Sequence, residues 1–344
     1  MHVFDGSQGE GGGAILRLVT SLCLMTQETV KIINIRKNRP NPGLQTQHLM
    51  ALRALNDFCG GELEGDSLGS ETIRFTPATN WQSHLKINVS TAGSLGLILQ
   101  SLQIAILGVR NQPLTVELQG GATFGKWAPS IPYVKHVTWE VFRRMNFELK
   151  IKIDRHGFFP KGGARVSVIM NSPPNLEGLD LTSFHQPKLV NILSYASKHL
   201  QRARVAERQS KTIFNALEKQ NIVSKIINEY VEADNPGSGV LLFSRTKNNV
   251  IGGDFVGERR VTAEKVGQKV FERYINTINS QSTVDPFLAD QILPIMATAS
   301  SSSSFLTPYL SNHTKTNITL IGELLGVEIS TEKMDNQFMI SIDV

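Results

Sequence analysis

Apolar positions along the chain fall into two alternating periods. From Ile15 to Met25 they run nearly all round, as in a buried helix. From Leu44 through His48, Leu52 and Leu55 to Cys59 they share one helical face, and Gly60-Gly61 stops the run. Short strands are expected at Val30–Ile35 and Thr72–Phe75. The succession repeats as strand Leu85–Val89, helix Leu95–Leu107 opened by Thr91-Ala92-Gly93-Ser94, strand Leu114–Leu118, helix Tyr133–Met145 and strand Glu148–Ile153. A third copy reads as strand Ala164–Ile169 and, after an interruption, helix Phe287–Ala299, strand Phe305–Tyr309, helix Thr316–Leu325 and short strands near Glu328–Ser330 and Phe338–Ile342. Units of about 80 residues with one internal order predict a repeated α/β (α+β) architecture.

The interruption, Gln186 to Asn279, reads as a small α+β domain of its own: strands at Leu189–Leu193, Ile226–Val231, Gly239–Ser244 and Val250–Val256, and helices Arg204–Gln220 and Thr262–Thr277. The expected division is therefore 1–185 with 280–344 as the repeat-built domain and 186–279 as the insertion. Lys198, His199, Arg202, Arg204, Arg208 and Lys211 make a basic cluster in the insertion. It reads either as a solvated helix face or as a contact for a nucleic-acid backbone. No candidate chemistry falls inside the insertion, so it is expected to be dispensable for the reaction.

Composition narrows the field. The chain of 344 residues is 40% hydrophobic, enough for a large core. A net charge of +5 suits an anionic partner. Two cysteines, Cys23 and Cys59, allow neither a disulfide framework nor a zinc spacing. With no signal peptide and no apolar run long enough to span a bilayer, a cytoplasmic protein is expected, without a membrane role.

The chemistry is expected first at Asp5-Gly6-Ser7-Gln8-Gly9-Glu10-Gly11-Gly12-Gly13-Ala14-Ile15-Leu16-Arg17, where four of the five residues from Gly9 to Gly13 are glycine. Free N–H groups opening a buried helix make an anion seat. Glu10 and Arg17 then flank a place where a metal-bound phosphate could meet both. A purely structural tight turn is the rival reading. A dinucleotide fingerprint needs a buried strand before it, and only His2-Val3-Phe4 is available. A P-loop needs Lys-Ser or Lys-Thr after the glycines, and neither is there.

Each repeat also carries special residues between its inner strand and second helix. These are Arg36, Lys37, Arg39, Pro40 and Pro42 in the first, Gly120 to Pro129 in the second, and Asn312-His313-Thr314-Lys315-Thr316-Asn317 in the third. Stacked repeats would bring such loops together. His313 is expected just before a helix capped by Thr314 or Thr316, where the dipole favours phosphate and a neutral imidazole. Such a histidine is either incidental or a nucleophile.

Asp5-Gly-Ser-Gln-Gly-Glu-Gly-Gly-Gly, Pro42-Gly43-Leu44-x-x-Gln47-His48, Arg155-His156-Gly157-Phe158-x-Pro160-x-Gly162-Gly163, Gly257-Glu258-Arg259-Arg260-Val261 and Leu288-Ala289-Asp290-Gln291 occur in that order. In combination they resemble the RNA 3′-terminal phosphate cyclase family, from Phe4 to the C-terminus. The resemblance implies three βαβαββ repeats with one inserted α+β domain. It implies an ATP-dependent enzyme of the ligase class that converts an RNA 3′-terminal phosphate to a 2′,3′-cyclic phosphate through a histidyl-AMP and an RNA-adenylate. Under that resemblance His313 is the nucleophile. Gln100, Pro129, Phe287, Leu288, Ala289, Asp290 and Gln291 hold ATP, the AMP donor. Glu10 holds a divalent metal, Mg or Mn. Arg17, Arg36, Arg39, Gln47 and His48 hold the phosphate of the partner, RNA with a 3′-terminal phosphate. His48 also falls on the apolar stripe, so a core histidine is equally open.

Phe287 stands where many relatives carry tyrosine, so stacking survives without a phenol hydrogen bond. The loop Phe124-Gly125-Lys126-Trp127 departs from the bacterial pattern. A non-catalytic relative acting in ribosome biogenesis is the alternative, and it would be expected to lack His313 and the Glu10 loop. An enolpyruvyl transferase would need twice the repeats, and a polynucleotide ligase a Lys-x-Asp-Gly motif that is absent. Nothing points to an obligatory protein partner.

Overall fold

The computed structural model describes residues 1–109, 112–126 and 128–344; Trp127 of the second-repeat loop lies outside them. The first unit runs β1 (His2–Asp5), α1 (Gly13–Thr26), β2 (Val30–Ile33), α2 (Thr46–Cys59), β3 (Glu62–Glu64) and β4 (Ile73–Thr76). The second runs β5 (His84–Ser94), α3 (Leu95–Ala105), β6 (Pro113–Ala122) and α4 (Ile131–Tyr133). A π-helical turn, Val134–Thr138, then leads into α5 (Trp139–Arg144), followed by β7 (Glu148–Arg155) and β8 (Arg165–Asn171). The third opens with β9 (Asp180–Leu181). The intervening segment holds β10 (Leu189–Ser197), α6 (Val205–Glu218), β11 (Val223–Val231), β12 (Ser238–Arg245), β13 (Val250–Val256) and α7 (Ala263–Asn279). The third unit resumes with α8 (Pro286–Met296), β14 (Ser303–Thr307), α9 (Asn312–Leu325), β15 (Glu328–Lys333) and β16 (Phe338–Asp343).

Among the described residues the strands form four four-stranded sheets, and three of them share one plan. In sheets β1-β2-β4-β3, β5-β6-β8-β7 and β9-β14-β16-β15 the first two strands are parallel and the other pairs antiparallel. The parallel pair demands a crossover, which the first helix of each unit supplies. The strand expected at Ala164–Ile169 as the start of the third unit is instead β8. It pairs with β6 and β7 and closes the second unit. The true opening strand, β9, is two residues long and too short to show a period.

The nearly all-round apolar pattern of α1 has its explanation in burial: every residue from Ile15 to Leu24 is buried. Helices α3 and α8 join the same core through Leu99, Leu102, Leu288 and Ile292, each 0% exposed. No described helix is long and apolar enough to cross a membrane.

The fourth sheet, β11-β10-β12-β13, belongs to the intervening segment. Its strand β12 is apolar on both faces. Val240 and Leu242 pack with Ile213, Leu217, Val266 and Val270 of α6 and α7. Leu241 and Phe243 point the other way and join the main core. At Gly252 a Cβ would lie 2.7 Å from Val137 and 2.8 Å from Tyr133, so the sheet presses directly on the π-helical turn. In the basic cluster Lys198 pairs with Glu232 and Arg208 with Glu264, which neutralises part of it.

Candidate active site

The glycine loop is shaped around three side chains. Gly9, at φ +54°, has no room for a Cβ, which would meet Thr316 Oγ1 at 2.5 Å. A Cβ on Gly12 would lie 2.3 Å from Glu10 Oε2, and one on Gly13 would lie 2.1 Å from His48 Nε2. Close approach therefore favours glycine at all three positions, and at Gly9 the left-handed backbone conformation adds to it.

Glu10 is folded inward, its side chain 4% exposed. Its Oε1 accepts the Ala14 N–H at 3.1 Å, capping α1, and its own N–H donates to Thr316 Oγ1 at 3.0 Å. Arg39 Nη2 donates to Glu10 Oε2 at 3.0 Å and to the Glu10 carbonyl at 2.6 Å. His313 Nδ1 lies 3.9 Å from the same Oε2, across 303 residues of chain. The α9 helix starts earlier than expected. Its N-cap is Ser311, whose hydroxyl accepts the Thr314 N–H at 2.9 Å, and not Thr314 or Thr316. His313 thus sits in the first helical turn, half-exposed at 50%.

Behind Gly13 lie His48 and Arg17. His48 is 3% exposed. Its Nδ1 accepts the Gln45 N–H at 3.1 Å and so caps α2. Burial, with Arg17 and Arg36 adding to it, pushes its pKa down to about 3, so the ring is neutral. Gln47 is half-buried on the same turn. Arg36 donates to the carbonyls of Asn41 at 2.6 Å and Gly43 at 2.9 Å, and so braces its own loop.

Arg17 is 9% exposed, and its Nε has no hydrogen-bond partner among the described residues. Burial pulls its pKa down to about 10, although Glu10 and Asp290 pull it back. A buried guanidinium with an unused donor is costly unless an anion completes it.

Arg17 and His313 both open onto a cavity of about 320 Å³. Gln100 and Pro129 line it from the second unit, and Phe287, Asp290 and Gln291 from α8. Leu288 and Ala289 do not reach it: both are 0% exposed, on the core side of α8. Asp285 caps α8, accepting from the Phe287 and Leu288 N–H groups at 3.1 Å. Burial, reinforced by Asp285, raises the Asp290 carboxyl well above its ordinary range. Glu10, Arg36, Arg39, Gln47 and His48 form a separate group around the glycine loop, outside the cavity lining.

Several wall residues were not foreseen. Asp254, Phe255, Val256, Glu258 and Arg273 come from the intervening segment, so that segment does not stand apart from the site. Lys126 bonds Glu258 at 2.9 Å across the cavity mouth. Glu258 belongs to the motif Gly257–Val261, which was the one sequence signal for this wall. In the motif at 155–163 the rings of His156 and Phe158 are buried. His156, 6% exposed, shares a hydrogen bond with Thr123 Oγ1 at 2.9 Å and packs on Tyr195 at 4.9 Å. Phe158 stacks on Phe124, which lines the cavity.

Among the described residues no three His, Cys, Asp or Glu side chains converge as metal ligands. The donor set does not suit a metal caged by protein. It suits an ion carried in with phosphates, because magnesium commonly keeps its waters and takes one or two carboxylates. Glu10, already held in place by Arg39 and Ala14, offers one.

Fold and cavity define an α/β protein with a buried cation facing an anion-sized pocket beside a histidine. The family profile for RNA 3′-terminal phosphate cyclase matches residues 8–331. The RNA 3′-terminal phosphate cyclase of Pyrococcus furiosus is 35% identical over 327 residues, covering 95% of this chain and 94% of that protein. Those of Methanosarcina barkeri and Archaeoglobus fulgidus are also 35% identical, over 99% and 96% of this chain and 100% and 98% of theirs. A solved enolpyruvyl transferase, NikO from Streptomyces tendae, aligns with a TM-score of 0.39 at 10% identity, over 99% of this chain and 48% of that one. That likeness is too distant to speak to function. The chain belongs to the RNA 3′-terminal phosphate cyclase family.

Proposed function

We propose that this protein is an ATP-dependent enzyme that converts an RNA 3′-terminal phosphate to a 2′,3′-cyclic phosphate. The carrying observation is Arg17, a buried guanidinium with an unpartnered Nε on the wall that also holds His313. ATP occupies the cavity, with Gln100, Pro129, Phe287, Asp290 and Gln291 around it. His313 Nδ1 faces Glu10, which leaves Nε2 as the attacking nitrogen. Nε2 bonds to the α-phosphorus as the bond to pyrophosphate breaks, leaving AMP on the histidine. An oxygen of the RNA 3′-phosphate then takes the AMP, and His313 leaves. Finally the neighbouring 2′-hydroxyl attacks the activated phosphorus, its proton is lost, and AMP departs as the ring closes.

Arg17, Arg39 and Gln47 hold phosphate oxygens, and Arg36 braces the loop beside them. His48, neutral and buried, takes part only by holding Gly13 and α2 in place. A magnesium or manganese ion would be held by Glu10 and phosphate oxygens, and when bound it neutralises charge on the leaving pyrophosphate. Residues 1–185 with 280–344 form the unit bearing His313 and Glu10, and 186–279 is inserted in it. Two buried, unbridged cysteines suit a reducing cytoplasm. The pairing of His313 with an intact Glu10 loop favours catalysis over a purely structural role in ribosome biogenesis.

The test is product analysis. An oligoribonucleotide with a 3′-phosphate, incubated with ATP and magnesium, should become resistant to phosphatase and lose the mass of one water. A phosphatase-sensitive end after full incubation would overturn the proposal.

A further inference from the structure

The Phe287 ring is 42% exposed at the cavity rim, on the first turn of α8. A ring that open is free to swing unless something holds one face. Arg273, from α7 of the intervening segment, does so. Its guanidinium carbon lies 4.8 Å from the Phe287 ring centre and 5.0 Å from that of Phe255. Its Nη1 donates to the Asp254 carbonyl at 2.7 Å, which tethers the guanidinium beside the two rings. Lys269 Nζ sits 4.4 Å from the centre of the Phe255 ring. Planar guanidinium groups stack on aromatic faces in a way a single ammonium cannot match.

We propose that Arg273 is a positioning residue for the nucleotide: sandwiched between Phe255 and Phe287, it holds the Phe287 ring with one face toward the cavity, ready to stack on the base. The inserted segment is then the base-side wall of the pocket, in place of the dispensable appendage its sequence suggested. Base–aromatic stacking needs a ring already at the right angle, and a ring fixed beforehand loses less entropy on binding. This inference rests on the reading of the cavity as the ATP site.

A double-mutant cycle on ATP binding tests it, with Kd from titration calorimetry and AMP-adduct kinetics measured in parallel. Arg273→Ala should raise Kd and KM for ATP by roughly tenfold while kcat stays within about twofold, since His313 and Glu10 are untouched. Phe287→Ala should weaken binding at least as much, and the double variant should be no weaker than Phe287→Ala alone. Arg273→Lys should fall between wild type and alanine. Should the alanine variant fail to fold, Arg273→Lys and Phe255→Leu carry the same comparison. An unchanged Kd in Arg273→Ala, or losses that simply add in the double variant, would overturn the inference. If the wild type binds ATP but forms no adduct, the catalytic reading falls while the cycle still decides the role of Arg273. If it binds no ATP, both fall.

Discussion

Arg17 and Asp290 stand at matching positions of equivalent helices, each the fifth residue after its N-cap, Gly12 in α1 and Asp285 in α8. Both project into one cavity, and each shifts the other's titration. Two copies of one supersecondary plan thus deliver a cation and a carboxyl to a shared centre. In α3 the fifth residue after Ser94 is the buried Leu99, and its neighbour Gln100 takes the wall instead.

Replacing Arg17 separates stability from function. Arg17→Met keeps the length and removes a buried donor that has no partner. Without ligand it should be more stable than the wild type by about 1–3 kcal/mol in urea unfolding. Use of ATP should be lost. A destabilised Arg17→Met would mean that its neighbours already satisfy the guanidinium.

Glu10→Ala should slow AMP attachment on the order of 100-fold, the scale of losing metal-assisted charge stabilisation. Cyclisation of a preadenylylated RNA should suffer much less. The loss of the bonds to Ala14 and Arg39 also predicts a lower melting temperature. Equal losses in both chemical steps would point to structure alone.

Arg39→Ala should weaken use of 3′-phosphate RNA by about 1.5–3 kcal/mol, as steady-state kcat/KM would show. Lysine should rescue only in part, because it cannot present the planar fork. Arg36→Ala should instead raise loop mobility, seen as faster amide exchange over 34–43, since its guanidinium braces the Asn41 and Gly43 carbonyls. Full rescue of Arg39→Ala by lysine would leave simple charge as the explanation.

Acid should unfold the protein through its buried histidines. Burial, with Lys135 nearby, holds His156 at about 4, and His48 is held at about 3. The folded pKa lies below the unfolded value of about 6.5, so the unfolded state binds more protons in between. Stability is therefore fully present above that value and falls as pH drops toward 4, by roughly 1.4 kcal/mol per pH unit for each such histidine. His156→Phe, which keeps the stack on Phe158 and Phe124, should show a shallower decline in chemical denaturation between pH 6 and 4. An unchanged slope would mean that the ring is not the source.

Much of this was legible in the chain. Long apolar helices such as α1, the β13 strand and the Gly9–Gly13 loop have strong local signals, and the repeat order follows from them. The unit boundary at Asn171 is not legible, because β9 is two residues long and pairs with the distant strand β14. The start of α9 was misplaced because Asn312, His313 and Thr314 are weak helix formers held there by the Ser311 cap. Leu288 and Ala289 belong to the family motif that the resemblance assigns to the nucleotide, but helical geometry turns their side chains into the core. The wall from the intervening segment shows in the sequence through the motif Gly257–Val261 alone, because stacking between Phe255, Arg273 and Phe287 leaves no mark on sequence spacing.

The most direct test of the central claim is to incubate the protein with α-labelled ATP and magnesium and to map any adduct by denaturing electrophoresis and peptide mass spectrometry. AMP should be found on the peptide carrying His313, released by acid and stable to base as a phosphoramidate is, and absent from a folded His313→Ala variant. AMP on another residue, or undiminished label in His313→Ala, would contradict the account.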